Sequence, residues 1–200
     1  MFDARLRPLI DPPLNWLAKS LAALGIGANS LSLAGMGIGV GAGITIAGDQ
    51  YLAGLLLILA NRLFDGLDGA VARATRPTDF GGYLDIVSDF VFYVAIPIGF
   101  AFAAPTNLPF ALVLIASFTL TGVSFLAFAT LAAKRGLETN AHGKKSFFYN
   151  TGLAEGAETI IAFVLMCIFP AQFPLIAGLY AGLCLLTVIQ RSMAAWDQFG

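Results

Sequence analysis

The chain has 200 residues, 58% of them hydrophobic and only 12% charged, with a formal net charge of −1 and a mean hydropathy of +0.82. A soluble domain carries about a quarter of its residues as charges, so this composition excludes a water-soluble globule, and its near-neutral balance gives no sign of a nucleic-acid partner. The apolar residues are gathered in blocks near the ~20 residues that cross a bilayer, which predicts an all-α, polytopic membrane protein.

Residues 1–26 predict a short amphipathic helix lying along the membrane surface. Asp11 before Pro12 and Pro13 reads as an N-cap with proline in the first turn, and Leu14, Leu17, Ala18, Leu21 and Leu24 then recur at helical spacing. The opening segment has a broken apolar run and no small-residue cleavage pattern, so no cleavable signal is expected. "GIGAN" separates this helix from a predicted catalytic domain, residues 27–200, with six spans at 27–47, 51–72, 83–103, 109–133, 151–169 and 173–188.

The first span contains "GMGIGVGAG". No strand precedes it, so a glycine-rich nucleotide loop is excluded. Gly35, Gly39, Gly43 and Ala47 instead repeat every fourth residue, the small-residue stripe that lets helices approach closely in lipid. That stripe fits a homodimer or packing within one chain. The turns "AGDQ", "APTNLP" and "PAQFP" hold no Lys or Arg, whereas all 11 basic residues fall on or near the side that holds both termini. By the positive-inside rule that side is cytoplasmic. Cys167 and Cys184 read as small packing residues inside spans, and His142, in a polar loop at 133–146, reads as solvated.

Spans two and three carry the chemistry. "FDGLDGAVARATRPTDFGGYLDIVSDF" puts Asp65, Asp68, Asp79, Asp85 and Asp89 into one apolar stretch. At ~100° per residue, Asp65 and Asp68 share a helix face, as do Asp85 and Asp89 at i and i+4. A short turn makes the two helices antiparallel neighbours, so both pairs can face a small cavity near the cytoplasmic end. Carboxylates crowded there need cations. Arg62, Arg73 and Arg76 could neutralise some, and the oxygen ligands suit Mg²⁺ or Mn²⁺, with two ions ~3.5–4 Å apart serving phosphoryl-type substitution. Asp79, in the turn, reads as a helix cap. Gly66, Gly69, Ala70, Ala72, Gly81 and Gly82 leave room for a wide substrate such as a nucleotide, or for close packing.

Asp65-x-x-Asp68-Gly69-x-x-Ala72-Arg73 followed by Gly81-x-x-x-Asp85-x-x-x-Asp89 resembles the signature of the CDP-alcohol phosphotransferases (CDP-alcohol phosphatidyltransferases). Seven residues separate Arg73 from Gly81 where the family pattern has eight, and choosing Gly82 would break the spacing to Asp85. "ANSLSL" resembles the family's Pro-Asn opening to span one, with Ala28 in place of the proline. The resemblance implies that Asp65, Asp68, Asp85 and Asp89 bind metal and that Asp89 is the general base for the acceptor hydroxyl. It places Gly69, Ala72, Arg73 and Gly81 at the cytidine diphosphate. It also implies a bacterial inner-membrane enzyme, active site cytoplasmic, that transfers a phosphatidyl group from CDP-diacylglycerol or another CDP-alcohol to a small alcohol and releases CMP.

The acceptor is less legible. Lys134, Arg135, Lys144, Lys145 and Arg191 could bind a phosphorylated alcohol or simply face anionic lipid, whereas Glu155 and Glu158 could hold an amine-bearing acceptor such as serine or ethanolamine or simply pair with Lys144, Lys145 or Arg191. Two other classes compete with the transferase. Asn61-x-x-x-Asp65-x-x-Asp68 faintly resembles an intramembrane prenyltransferase motif, and an acid-lined cation channel or transporter would also gather carboxylates.

Overall fold

The structure is a computed structural model that describes residues 3–136 and 152–200, with side chains from residue 11 onward. Lys144, Lys145 and His142 lie outside the described residues. The described regular structure is helical: α1 (Asp3–Ala23), α2 (Ala28–Ala47), α3 (Tyr51–Ala74), α4 (Asp79–Ala103), α5 (Leu108–Lys134), α6 (Gly156–Ile168) and α7 (Phe173–Phe199).

The first expected boundary is displaced. α1 runs through Asp11, Pro12 and Pro13 instead of starting there. Pro12 and Pro13 lack the N–H groups that would reach the carbonyls four residues back, and a helix on the outside of the bundle can leave those carbonyls to solvent. The other end follows the sequence: Gly25 has φ 76°, and Ile26 N–H reaches back 3.0 Å to the Leu21 carbonyl, the closing bond of a left-handed helix cap. Leu14 and Ala18 are buried with Leu31, Leu67, Ala70 and Val71, fixing α1 against α2 and α3, while Trp16 and Leu24 stay exposed.

Four helical segments, Ala28–Ala47, Asp79–Ala103, Pro105–Lys134 and Pro170–Phe199, are long and apolar enough to cross a membrane. The two other expected spans differ for physical reasons. α3 has 24 residues but carries Arg62, Asp65, Asp68 and Arg73, and the described part of α6 has 13. Even so, Leu52, Leu56, Leu59 and Leu63 make an exposed leucine stripe along α3, an apolar wall that suits lipid and not water. Hydroxyls in the apolar helices bond to their own backbone, as from Thr45 to Gly41 and from Thr119 to Ile115, which satisfies them without water.

Two groups of helices make the bundle. α2 packs on both α3 and α4, α5 pairs with α7, α4 touches α5, and α6 bridges α3 and α7. Between them lies an aromatic core in which Phe92, Tyr93, Phe118 and Phe163 meet edge to face or tilted, with Phe100 stacked on Phe173 at 4.5 Å further down. The small-residue stripe is consumed inside the chain. Gly35 and Gly39 receive Asn61, Phe64 and Phe92, and a Cβ at Gly43 would stand 2.5 Å from the Ala95 carbonyl of α4. Gly99 of α4 meets the Gly43 backbone in the same crossing. That face of α2 is therefore not open to a second copy.

Because the Gly43–Gly99 crossing has no space for a side chain, Gly43→Val should destabilise the bundle by about 1–3 kcal/mol, the usual cost of overpacking. Gly41, with nothing within 4 Å of a Cβ, should accept alanine without loss. Thermal unfolding of the two variants in detergent compares them directly.

Candidate active site

α3 and α4 are joined by the turn at residues 75–78, but they are not the directly packed neighbours expected from that turn: each packs on α2, and their acidic ends face one another across a cavity. The turn is capped by Thr78, whose Oγ1 accepts from Gly81 N–H at 3.0 Å. The cap expected at Asp79 is thus made by its neighbour, and Asp79 occupies the first turn, where a carboxylate favours the helix dipole. This arrangement also separates the two adjacent glycines. Gly81 sits against Thr78 and Asn29, whereas Gly82 lines the cavity.

That cavity has a volume of about 740 Å³ and is walled by every helix from α3 to α7, with Asp11 and Leu14 of α1 at its margin. One wall holds Arg62, Asp65, Asp68, Arg73, Asp85 and Asp89. Asp65, Asp68 and Asp85 each offer an oxygen, and these atoms lie within 4.8 Å of one another. Asp68 is buried and accepts a 2.6 Å hydrogen bond from Ser32 Oγ of α2, whereas Asp85 is exposed to the cavity. A converging set of three carboxylates, one held by a hydroxyl behind it, fits a hard divalent cation such as Mg²⁺ or Mn²⁺.

Asp89 is placed differently. It pairs with the Arg62 guanidinium at 3.0 Å, and the same Nη1 lies 3.5 Å from Asp65. Arg62 is therefore the cation that compensates the flank of the cluster, while Arg73 stands at the cavity wall beside Gly69, its Nη1 3.2 Å from where a Cβ would be. Ala72 and Gly81 do not line the cavity. Gly66 does, but its missing side chain also receives Leu14 of α1.

The opposite wall comes from α5, α6 and α7. Arg191 is buried and donates from Nη1 to the Thr121 carbonyl at 2.8 Å. Glu155 is buried as well, accepting from Gly152 N–H at 2.9 Å, and Thr159 and Tyr180 share a 2.7 Å hydroxyl contact beside it. Of the residues expected near an acceptor, Glu155 and Arg191 line the cavity, and Lys134, Arg135 and Glu158 do not. Arg135 donates instead to the carbonyls of Gln198 and Phe199, both at 3.0 Å, and closes the end of α7.

Ser32, Tyr180, Thr159 and Thr121 were not legible as site residues. Ser32 left one signal, a hydroxyl inside an apolar span, facing the helix that carries the acids. Asn61, the residue that suggested a prenyltransferase motif, donates to the Gly35 carbonyl at 2.8 Å and does not line the cavity.

A cavity with one acid-lined wall inside an apolar helical bundle defines a membrane-protein site suited to a metal and an anionic substrate. Comparison with known proteins narrows that class. The family model for CDP-alcohol phosphatidyltransferases matches residues 26–191, so the chain belongs to this family. It is 47% identical to the inner membrane protein YnjF of Escherichia coli over 192 residues, 96% of this chain and 93% of that one. It is 38% identical over 88 residues to the archaetidylinositol phosphate synthase of Pyrococcus horikoshii, covering 43% of this chain and 46% of the other. Among solved structures, Mycobacterium tuberculosis phosphatidylinositol phosphate synthase in complex with manganese and citrate superposes with a TM-score of 0.74 at 21% identity, over 92% of this chain and 88% of that one. The same synthase with CDP-DAG bound gives 0.73 at 20% identity, over 92% and 93%. These two likenesses establish the shared fold.

If the Ser32 bond orients Asp68 for a cation, Ser32→Ala should weaken Mn²⁺ binding about tenfold, the usual range for losing such a supporting contact. Thr130→Ala, which removes an exposed hydroxyl bonded within its own helix, should leave it unchanged. Calorimetric titration of Mn²⁺ into the detergent-solubilised protein measures both.

Proposed function

We propose that the chain transfers a phosphatidyl group from CDP-diacylglycerol to a small alcohol, with release of CMP, at the cytoplasmic face of the inner membrane. The observation that carries this reading is the convergence of Asp65, Asp68 and Asp85 on one wall of a cavity that also holds Arg73 and Asp89, in a chain of this family. The relation to an inner membrane protein supports the location. Placement of the basic residues supports six crossings, with α3 and α6 as the second and fifth, α1 at the interface, and both termini cytoplasmic.

In this reading Asp65, Asp68 and Asp85 hold Mg²⁺ or Mn²⁺, which when bound would offset the negative charge of the pyrophosphate. Arg73 adds a fixed positive charge for the phosphates, and the small residue at Gly69 lets it approach. Gly82, on the cavity wall, takes the place expected for Gly81 beside the nucleotide. The acceptor hydroxyl loses its proton to Asp89 as its oxygen forms a bond to the lipid-bearing phosphorus. The bond from that phosphorus to the bridging oxygen breaks, and CMP leaves with that oxygen. The two-ion expectation would draw a second cation to Asp65 and Asp89, but that flank is already paired with Arg62. We therefore assign one ion to the resting site and proton transfer to Asp89.

For the acceptor we propose a phosphorylated alcohol, inositol phosphate first. Arg191 brings a cation to the wall facing the acids, and two similar proteins are named for synthesis of an inositol phosphate lipid. The transport reading has less support: the aromatic core lies beneath the cavity, and Asp49, in the far turn, accepts from Tyr51 Oη at 2.7 Å.

CMP release from CDP-diacylglycerol with Mg²⁺ or Mn²⁺, measured with glycerol phosphate, inositol, inositol phosphate, serine, ethanolamine and choline, tests the whole reading. Release should depend on one acceptor, and Asp89→Asn should lower kcat about 10²–10⁴-fold while CDP binding persists. An enzyme silent with every acceptor and unable to bind CDP would end it. Titration of Mn²⁺ without nucleotide should show one site, lost in Asp68→Asn.

A further inference from the structure

Asn61 and Arg62 stand one helical turn before Asp65, outside the acid motif, and their contacts form a chain of fixings across three helices. Asn61 is 3% exposed, and its Nδ2 donates to the Gly35 carbonyl of α2 at 2.8 Å. The neighbouring Gly39 leaves room for this amide, since a Cβ there would lie 3.1 Å from the same nitrogen. The other end of the amide, Oδ1, accepts from Arg62 twice, from Nε at 2.8 Å and from Nη2 at 2.6 Å. The guanidinium carbon lies 4.4 Å from the centre of the Phe92 ring. Only the Nη1 edge is left to the acids, 3.0 Å from Asp89 and 3.5 Å from Asp65.

Compensating two carboxylates does not require so much. A lysine would supply the charge, and a mobile arginine would supply it with fewer contacts. What the doubly bonded guanidinium adds is a fixed direction, because a planar fork held on one edge presents its other edge at one place. It also stays protonated at any working pH, so it can hold a base without taking up the proton that the base receives.

We propose that Asn61 and Arg62 are a positioning pair, with Arg62, aimed by Asn61, setting the Asp89 carboxylate for the acceptor hydroxyl. This rests on the transferase reading above. The carboxylate then starts in the geometry that proton transfer needs, and the rigidity originates in the α2 backbone at Gly35. A merely structural arginine would matter for folding or for cation binding and not for turnover alone.

The test compares Arg62→Ala, Arg62→Lys and Asn61→Ala with the intact protein by CMP release and by Mn²⁺ titration. Arg62→Ala should lower kcat about 100-fold, with the donor KM and Mn²⁺ affinity changed by no more than about threefold. Guanidinium ion added below denaturing concentrations should raise the turnover of Arg62→Ala about tenfold or more, and should not rescue Asp89→Asn. Arg62→Lys, which keeps the charge without the fork, should stay below about a tenth of normal kcat, and Asn61→Ala should fall between, without rescue. Unchanged kcat in Arg62→Ala overturns the proposal while leaving the transferase reading intact. So does parallel loss of Mn²⁺ binding and turnover with no guanidinium rescue. An intact protein that releases no CMP with any acceptor fails the transferase reading itself, and this proposal with it.

Discussion

Carboxylates gathered between apolar helices must each find a cation or a hydrogen-bond donor, because an ionised group there is costly alone. Most of the acidic end of this structure is arranged around that requirement. Arg62 meets it for Asp89 and in part for Asp65, and Ser32 meets it for Asp68. Asp65, Asp68 and Asp85 still converge, which leaves the demand for positive charge that a divalent ion and a basic phosphate-binding residue would answer.

Meeting it depends on backbone proximity, and glycine supplies that. Asn61 reaches the Gly35 carbonyl, and Phe92 reaches under Arg62, because α2 presents Gly35 and Gly39 on the face turned to α3 and α4. The Gly43–Gly99 crossing holds α2 and α4 at backbone contact further down. A stripe that composition alone presents as generic helix packing is thus tied to the acid cluster: it fixes α3 and α4 at the separation that lets Asp68 and Asp85 share a point in space. The aromatic layer below, from Phe92 to Phe163 and Phe118, gives the cavity its apolar floor.

Much of this was legible in the residues. That Asp65 and Asp68 share a face, and that the short turn brings Asp85 to the same end, follows from helical periodicity; that α2 and not direct packing sets the distance between α3 and α4 does not. Gly35, Gly39 and Gly43 read as packing by the same periodicity. What periodicity could not show was direction at finer scale. Two adjacent glycines at 81 and 82 are equivalent by composition, and only the Thr78 cap decides which one meets the cavity. Asp89 reads as a fourth member of the cation set, and its 3.0 Å ion pair with Arg62 is a contact that periodicity did not single out. Pro12 and Pro13 looked like a helix start, but α1 runs through them from Asp3, against the usual cost of proline inside a helix. The wall across from the acids, with Glu155 and Arg191, is built from residues some 35 apart in sequence, and no local pattern announces such a pairing of segments.

The most direct test is to locate the cation. Crystals of the protein grown with Mn²⁺ and CDP, with anomalous scattering recorded at the manganese edge, should place a peak among the oxygens of Asp65, Asp68 and Asp85, with the diphosphate beside it toward Arg73. A manganese peak outside the cavity, or CDP bound away from these carboxylates, would contradict the account.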